Sequence, residues 1–180
     1  DTWVTANYAL FYWVMNRCYH YSRYKLGLSP LINGTGFMVS MSVLKEMNGW
    51  HSKTITEDIE MSLLSIARGY KIGWAKDAVV YDEQPLGFKQ SWTQRLRWSV
   101  GHIQCFKEYF SELAKQKDVT PTMIDAGVYI FGMPMLLLSI INFILTVIIY
   151  AMIPYKFLML NEVLKIISIL TLCVMLLLSV

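Results

Sequence analysis

Gln94, Arg97 and Trp98 stand at i, i+3 and i+4 within the stretch Gln94-Arg95-Leu96-Arg97-Trp98. On a helix their side chains share one face. That face offers an amide for hydroxyls, a guanidinium fork for phosphate and an indole that stacks on the apolar face of a sugar ring. Some way upstream, Thr56-Glu57-Asp58 places two carboxylates at the start of a helical pattern, with Thr56 as its expected N-cap. One carboxylate there could take the proton of an attacking hydroxyl, provided it is fixed within hydrogen-bond reach. Acids also favour the first helical turn simply because they complement the helix dipole. Asn33-Gly34-Thr35-Gly36 reads as a turn, or as a wall where backbone must approach a ligand closely. A base upstream and a sugar-and-phosphate face downstream imply glycosyl transfer.

Several elements must position these groups. Leu10, Val14, Cys18 and Tyr21 follow helical spacing within an aromatic-rich helix expected over 3–26, which Leu28-Ser29-Pro30 breaks. Phe37 to Met41 reads as a short strand, and Ser42 to Asn48 as a short helix closed by Gly49. From Asp58, the stripe Ile59, Leu63, Ile66 and Ala67 predicts a helix that ends at Gly69. Lys71–Ala75 and Ala78–Tyr81 are strand candidates. Ser91 to Leu113 predicts a long amphipathic helix, suited either to the membrane interface or to burial against a soluble domain.

The 180 residues are 55% hydrophobic, above the roughly 45–50% of a soluble domain, and the excess lies at the C-terminal end. Ala126 to Ile153 contains no charge and exceeds the about 20 residues needed to cross a bilayer. Gly132 and Pro134 interrupt it, as membrane helices allow. Ile166 to Val180 reads as a second span, expected to be cut short, and Asp1 has no leader pattern before it, so the chain is expected to be an internal piece. Lys and Arg between Arg68 and Lys117 place the polar portion in the cytoplasm by the positive-inside rule. Cys18, Cys105 and Cys173 show neither pairing nor metal spacing, which fits a reducing compartment. A net charge of +3 gives no ground for a nucleic-acid partner, and none is expected.

In this order and ahead of membrane helices, Asn33 to Gly36, Thr56-Glu57-Asp58 and Gln94 to Trp98 resemble the processive family 2 glycosyltransferases. These include the cellulose, hyaluronan, chitin-oligosaccharide and poly-N-acetylglucosamine synthases. The resemblance runs from about Leu31 to Phe106 and more loosely beyond. It implies an α/β fold of the GT-A type, here only its C-terminal half over 1–86. An amphipathic interface region with the Q-x-x-R-W motif follows over 87–120, and transmembrane helices over 121–180. It further implies inverting transfer from a UDP-sugar to a growing polysaccharide, with Asp58 as general base. Glu57, Gln94, Arg97, Trp98, Asn33, Gly34, Thr35 and Gly36 are the substrate-binding residues implied. Mg²⁺ or Mn²⁺ is expected from ligands upstream, because the chain has no D-x-D. A multi-pass protein of the plasma membrane, in contact with the lipid bilayer, follows from the same resemblance. A non-processive transferase acting on a lipid or single acceptor, and a transport or anchoring module without chemistry, are the competing readings.

Overall fold

A computed structural model describes residues 2–152, with a few isolated positions beyond. Its elements are α1 (Trp3–Val14), a π-helical turn (Met15–His20), α2 (Tyr21–Lys25), α3 (Met41–Glu46), α4 (Glu57–Ala67), α5 (Phe88–Ala114) and α6 (Pro121–Met152). The helix expected over 3–26 is therefore a single run with a widened turn in its middle. Thr2 opens it with a reciprocal cap: its hydroxyl accepts from the Thr5 N–H, and the Thr5 side chain returns to the Thr2 backbone. The π turn re-phases the helix so that Met15, Tyr19 and His20 are all buried. Burial and the nearby Arg23 guanidinium push the His20 imidazole down to about 4, against a smaller upward pull from Asn33, so this ring is neutral at physiological pH.

The three expected strands do not form: among the described residues no strand occurs. A strand requires a neighbour to complete its ladder, and side chains take that place here. The Ile72 N–H donates to Ser29 Oγ at 3.0 Å, and Trp74 donates to Asn16 Oδ1 at 2.8 Å while Tyr21 and Tyr24 pack on its ring. The 78–81 segment instead crosses over Gly36, where an added Cβ would lie 2.6 Å from Val80 Cγ2. Gly36 also has φ +69, so two independent constraints demand glycine there.

Other boundaries shift modestly. α3 starts one residue earlier than expected because Ser40 caps it, and α5 reaches back to Phe88 behind Gly87. α6 begins at Pro121, a residue suited to a first helical position, and Pro134 lies within it. Pro121–Ile148 is long and apolar enough to cross a membrane. The second span expected from Ile166 lies almost wholly outside the described residues.

One core joins these helices. Met15 and Tyr19 of the π turn, Ile59, Leu63 and Ile66 of α4, Cys105, Tyr109 and Leu113 of α5, and Met123, Ala126 and Ile130 of α6 are mutually packed. α5 packs along α6 and also against α4, so it is buried on one face rather than free-standing. At Gly101 it abuts the N-cap of α4: an added Cβ would stand 2.3 Å from Thr56 Cγ2 and 2.5 Å from its hydroxyl. Gly101→Ala therefore tests the packing through its sign. Alanine favours a free helix by about 1 kcal/mol, yet overpacking here is expected to cost about 1–3 kcal/mol net. A melting temperature at or above that of the parent protein would contradict this contact.

Candidate active site

The Thr54–Asp58 segment is fixed from below by a carboxylate outside the three motifs, Glu60. Glu60 is 2% exposed. It accepts from the Ser52 hydroxyl at 2.8 Å, the Lys53 N–H at 2.9 Å, and both the N–H and hydroxyl of Thr54 at 2.8 Å. The Tyr109 hydroxyl donates to its other oxygen. Burial alone would raise this carboxyl, but these donors outweigh it and hold it below its ordinary value. Glu60 thus ties the turn before α4 to α5.

α5 grips the same turn at three further points. The Ile55 N–H donates to Gln104 Oε1 at 3.0 Å, the hydroxyls of Thr54 and Thr56 both lie 3.5 Å from Cys105 Sγ, and Gly101 abuts Thr56. Thr56 occupies the N-cap position as expected, but its hydroxyl makes no capping bond. It points into the α4–α5 contact, and the helix start is served by Asp58 instead.

Asp58 uses its two oxygens differently. Oδ1 accepts from the Ile59 N–H at 2.8 Å, satisfying one of the orphan donors of the first turn. Oδ2 faces the glycine-rich loop: an added Cβ on Gly34 would lie 3.4 Å from it. Ser62 holds that loop in register, accepting from the Ile32 N–H at 2.7 Å while donating to the Asp58 carbonyl at 2.8 Å. Burial raises the Asp58 carboxyl above its ordinary range, the Ile59 N–H opposes this, and Glu57 adds to it. A half-desolvated carboxylate with a raised pKa is a stronger proton acceptor than a surface one. Glu57, Gly34, Thr35 and Gly36 are exposed, and Asn33 is half-buried beside them.

The Gln94 face is held by α1. The Tyr8 hydroxyl donates to Gln94 Oε1 at 3.0 Å, which leaves the amide NH₂ as the free end of that side chain. Trp98 meets the Tyr8 ring edge-on at 6.1 Å and stacks with Phe11 at 6.2 Å. Arg95 joins this group, its guanidinium 5.0 Å from the centre of the Tyr8 ring, whereas Arg97 is exposed at the edge of the face. Arg95, rather than the expected Arg97, is thus the arginine that packs with Gln94 and Trp98 on α1.

The structure thus brings Asp58 beside Gly34 at the start of α4, and Gln94 and Trp98 against α1 on the first half of α5, while Arg97 is exposed. The model of glycosyl transferase family group 2 matches residues 1–180. The chain belongs to that family. A rice (Oryza sativa subsp. japonica) protein named a probable glucomannan 4-beta-mannosyltransferase 9 is 29% identical over 131 residues, covering 73% of this chain and 24% of the rice protein. An Arabidopsis thaliana protein named a probable glucomannan 4-beta-mannosyltransferase 10 is 33% identical over 88 residues, 49% of this chain and 16% of that protein. A Bacillus subtilis (strain 168) protein named probable glycosyltransferase YdaM is 28% identical over 95 residues, 53% of this chain and 23% of that one. The chain thus spans about a quarter or less of the length of these relatives. No solved structure matches it.

Family membership fits a GT-A fold, of which the described residues carry helices and loops but no strand. No group of three His, Cys, Asp or Glu side chains that could hold a metal ion occurs among the described residues.

Glu60→Gln is expected to destabilise the protein by about 3 kcal/mol, because charge-assisted bonds are lost and an amide NH₂ is turned toward donors. The contribution of the carboxylate is complete above the ordinary value of 4.5 and fades as pH falls through its lower folded value. Equal thermal unfolding of variant and parent at neutral pH would rule out Glu60 as the anchor.

Proposed function

We propose that this chain supplies the acceptor side of a polysaccharide-forming glycosyltransferase site, with Asp58 as the general base. The observation that carries this reading is the Asp58 carboxylate: half-buried, raised in pKa, and turned toward Gly34 on a frame locked to the Gln94–Trp98 helix. The acceptor hydroxyl gives its proton to Asp58 while its oxygen attacks the anomeric carbon of the donor sugar. The bond from that carbon to the nucleotide diphosphate breaks, with inversion. The free guanidinium of Arg97 neutralises charge on the departing diphosphate, and the Gln94 amide donates to it or to a sugar hydroxyl. Trp98, backed by Phe11, offers its remaining surface to the terminal acceptor sugar. A UDP-sugar is the donor proposed. The names of the plant relatives add nucleotide-activated mannose to the donors worth testing. Divalent metal, where bound in the full-length protein, would stabilise the leaving diphosphate from ligands elsewhere.

The setting proposed is a multi-pass protein of the plasma membrane with the site on the cytoplasmic face. Its support is the length and apolarity of α6 and the basic residues from Arg68 to Lys117.

Asp58→Asn in the full-length protein is expected to lower turnover by about 10²–10⁴-fold, the usual worth of a general base. Release of nucleotide would be followed with UDP-glucose, UDP-N-acetylglucosamine, UDP-glucuronate and GDP-mannose as donors. Since burial disfavours the charged carboxylate, the variant should fold at least as stably as the parent at neutral pH. In the parent, activity should fall as pH drops through a value above the ordinary carboxylate range. Turnover near that of the parent would remove Asp58 as base.

Product length separates a polymerising enzyme from one that makes a single addition. The parent protein is expected to give a ladder or high polymer, and Trp98→Ala to shorten it while single transfers persist. A single-addition product from the parent would favour the non-processive reading, and unchanged product length in the variant would contradict the stacking role.

A further inference from the structure

His102 lies one turn after Trp98 on α5, next to the Gly101 that abuts Thr56. It falls outside the Q-x-x-R-W motif and is not among the substrate-binding residues implied by the family resemblance. Its Nδ1 is 2.9 Å from the Trp98 carbonyl oxygen. A carbonyl can only accept, so Nδ1 must carry the hydrogen, and in the neutral ring Nε2 is left with a lone pair. Burial lowers the pKa of this imidazole below its ordinary 6.5, with the Trp98 carbonyl and Asp58 acting in the opposite sense, which favours the neutral form at physiological pH.

Nε2 has no hydrogen-bond partner among the described residues. His102 as a whole is half-buried rather than sealed. The ring is braced on its other side by Tyr129 of α6, with centroids 5.5 Å apart, and Tyr129 in turn packs against Tyr19 at 5.1 Å. The charged group acting on it is Asp58 at the start of α4, which Glu57 in turn faces. The result is a tautomer fixed by backbone, a ring fixed by aromatic packing, and a free acceptor atom in the neighbourhood of the base.

We propose that His102 is an acceptor-binding residue: its Nε2 accepts a hydrogen bond from a hydroxyl of the acceptor's terminal sugar, adjacent to the hydroxyl that Asp58 deprotonates. Hydroxyls on neighbouring ring carbons give one sugar two donors, and Asp58 and His102 supply two separate acceptors. A neutral imidazole suits this better than a cation, because an imidazolium would stabilise the Asp58 carboxylate and weaken it as a base. Discrimination follows from the same geometry: a sugar lacking that hydroxyl would leave Nε2 unpaired at a largely desolvated position.

This inference rests on the placement of Asp58 as the base, and its test separates the two. The full-length protein in membranes would be assayed with its productive donor and with added β-1,4-linked gluco- and manno-oligosaccharides as acceptors. His102→Phe keeps the ring packing on Tyr129 and removes the lone pair. It is expected to raise the acceptor KM about tenfold or more, with a smaller change in kcat and none in donor KM. His102→Gln, whose carbonyl oxygen can accept, is expected to recover most of the loss and guards against a failure of the phenylalanine variant to fold. Acceptor KM within twofold of the parent in both variants, while Asp58→Asn abolishes turnover, would overturn the role of His102 and leave the base assignment standing. A fall in kcat with acceptor KM unchanged would overturn it as well, pointing to proton transfer rather than binding. Persistent turnover in Asp58→Asn would strike the base assignment, whereas a raised acceptor KM in His102→Phe would still support the binding contact.

Discussion

The buried carboxylate of Glu60 is the constraint on which the rest of the α4–α5 contact depends. A charge at 2% exposure is costly to desolvate, and it persists because donors from Ser52, Lys53, Thr54 and Tyr109 surround it. Those donors come from two places far apart in sequence, the turn before α4 and the C-terminal part of α5. Satisfying one carboxylate therefore sets the entry of the chain into α4 and the register of α5 against it. Once both are set, Asp58 lies at the exposed end of the same first turn, and Gly101 fits against Thr56 with no space left for a methyl group.

Two acids two residues apart on one helix thus take opposite environments. Glu60 is saturated with donors and held down in pKa, whereas Asp58 has one backbone N–H on Oδ1, a glycine loop beside Oδ2, and a raised pKa. The difference has a simple origin. Residues 58 and 60 on an α-helix point roughly 200° apart, so one turns into the α4–α5 contact and the other toward the 31–36 loop. The Glu60 cluster supplies the rigid support on which a desolvated carboxylate such as Asp58 can persist.

What the sequence made legible around the candidate site was local geometry. Helical spacing at 94, 97 and 98 is local geometry, and the apolar stripe Ile59, Leu63 and Ile66 points unambiguously inward. Glu60 was not legible, because an acid in a first helical turn has a sufficient explanation in the dipole and nothing in its neighbours announces Tyr109 as a partner. The π turn was equally hidden: Leu10, Val14, Cys18 and Tyr21 suit a helix whether or not one turn is widened. The strands failed for the opposite reason. Residues 71–75 have the composition of a strand, but the Ile72 N–H goes to Ser29 and the Trp74 ring to Asn16, Tyr21 and Tyr24, so propensity lost to tertiary context. The arginines divide as a helix dictates, yet only the position of α1 decides that Arg95 is the one stacked on Tyr8.

The join to α6 explains why the site and the apolar helix need to be considered together. Arg23 of α2 bonds Asp125 through Nε at 2.7 Å, and its guanidinium lies 3.6 Å from the centre of the Tyr19 ring. Asp125 sits near the beginning of α6, so this ion pair keeps the polar end of that helix on the same side as the π turn. One turn further on, Tyr129 already packs on both Tyr19 and His102. Beyond it the outward residues Leu137, Leu138, Ile141, Phe143 and Ile144 are exposed and apolar. The distance along α6 from a paired carboxylate to an unbroken apolar surface is therefore only a few turns, and the ring that touches His102 lies between them.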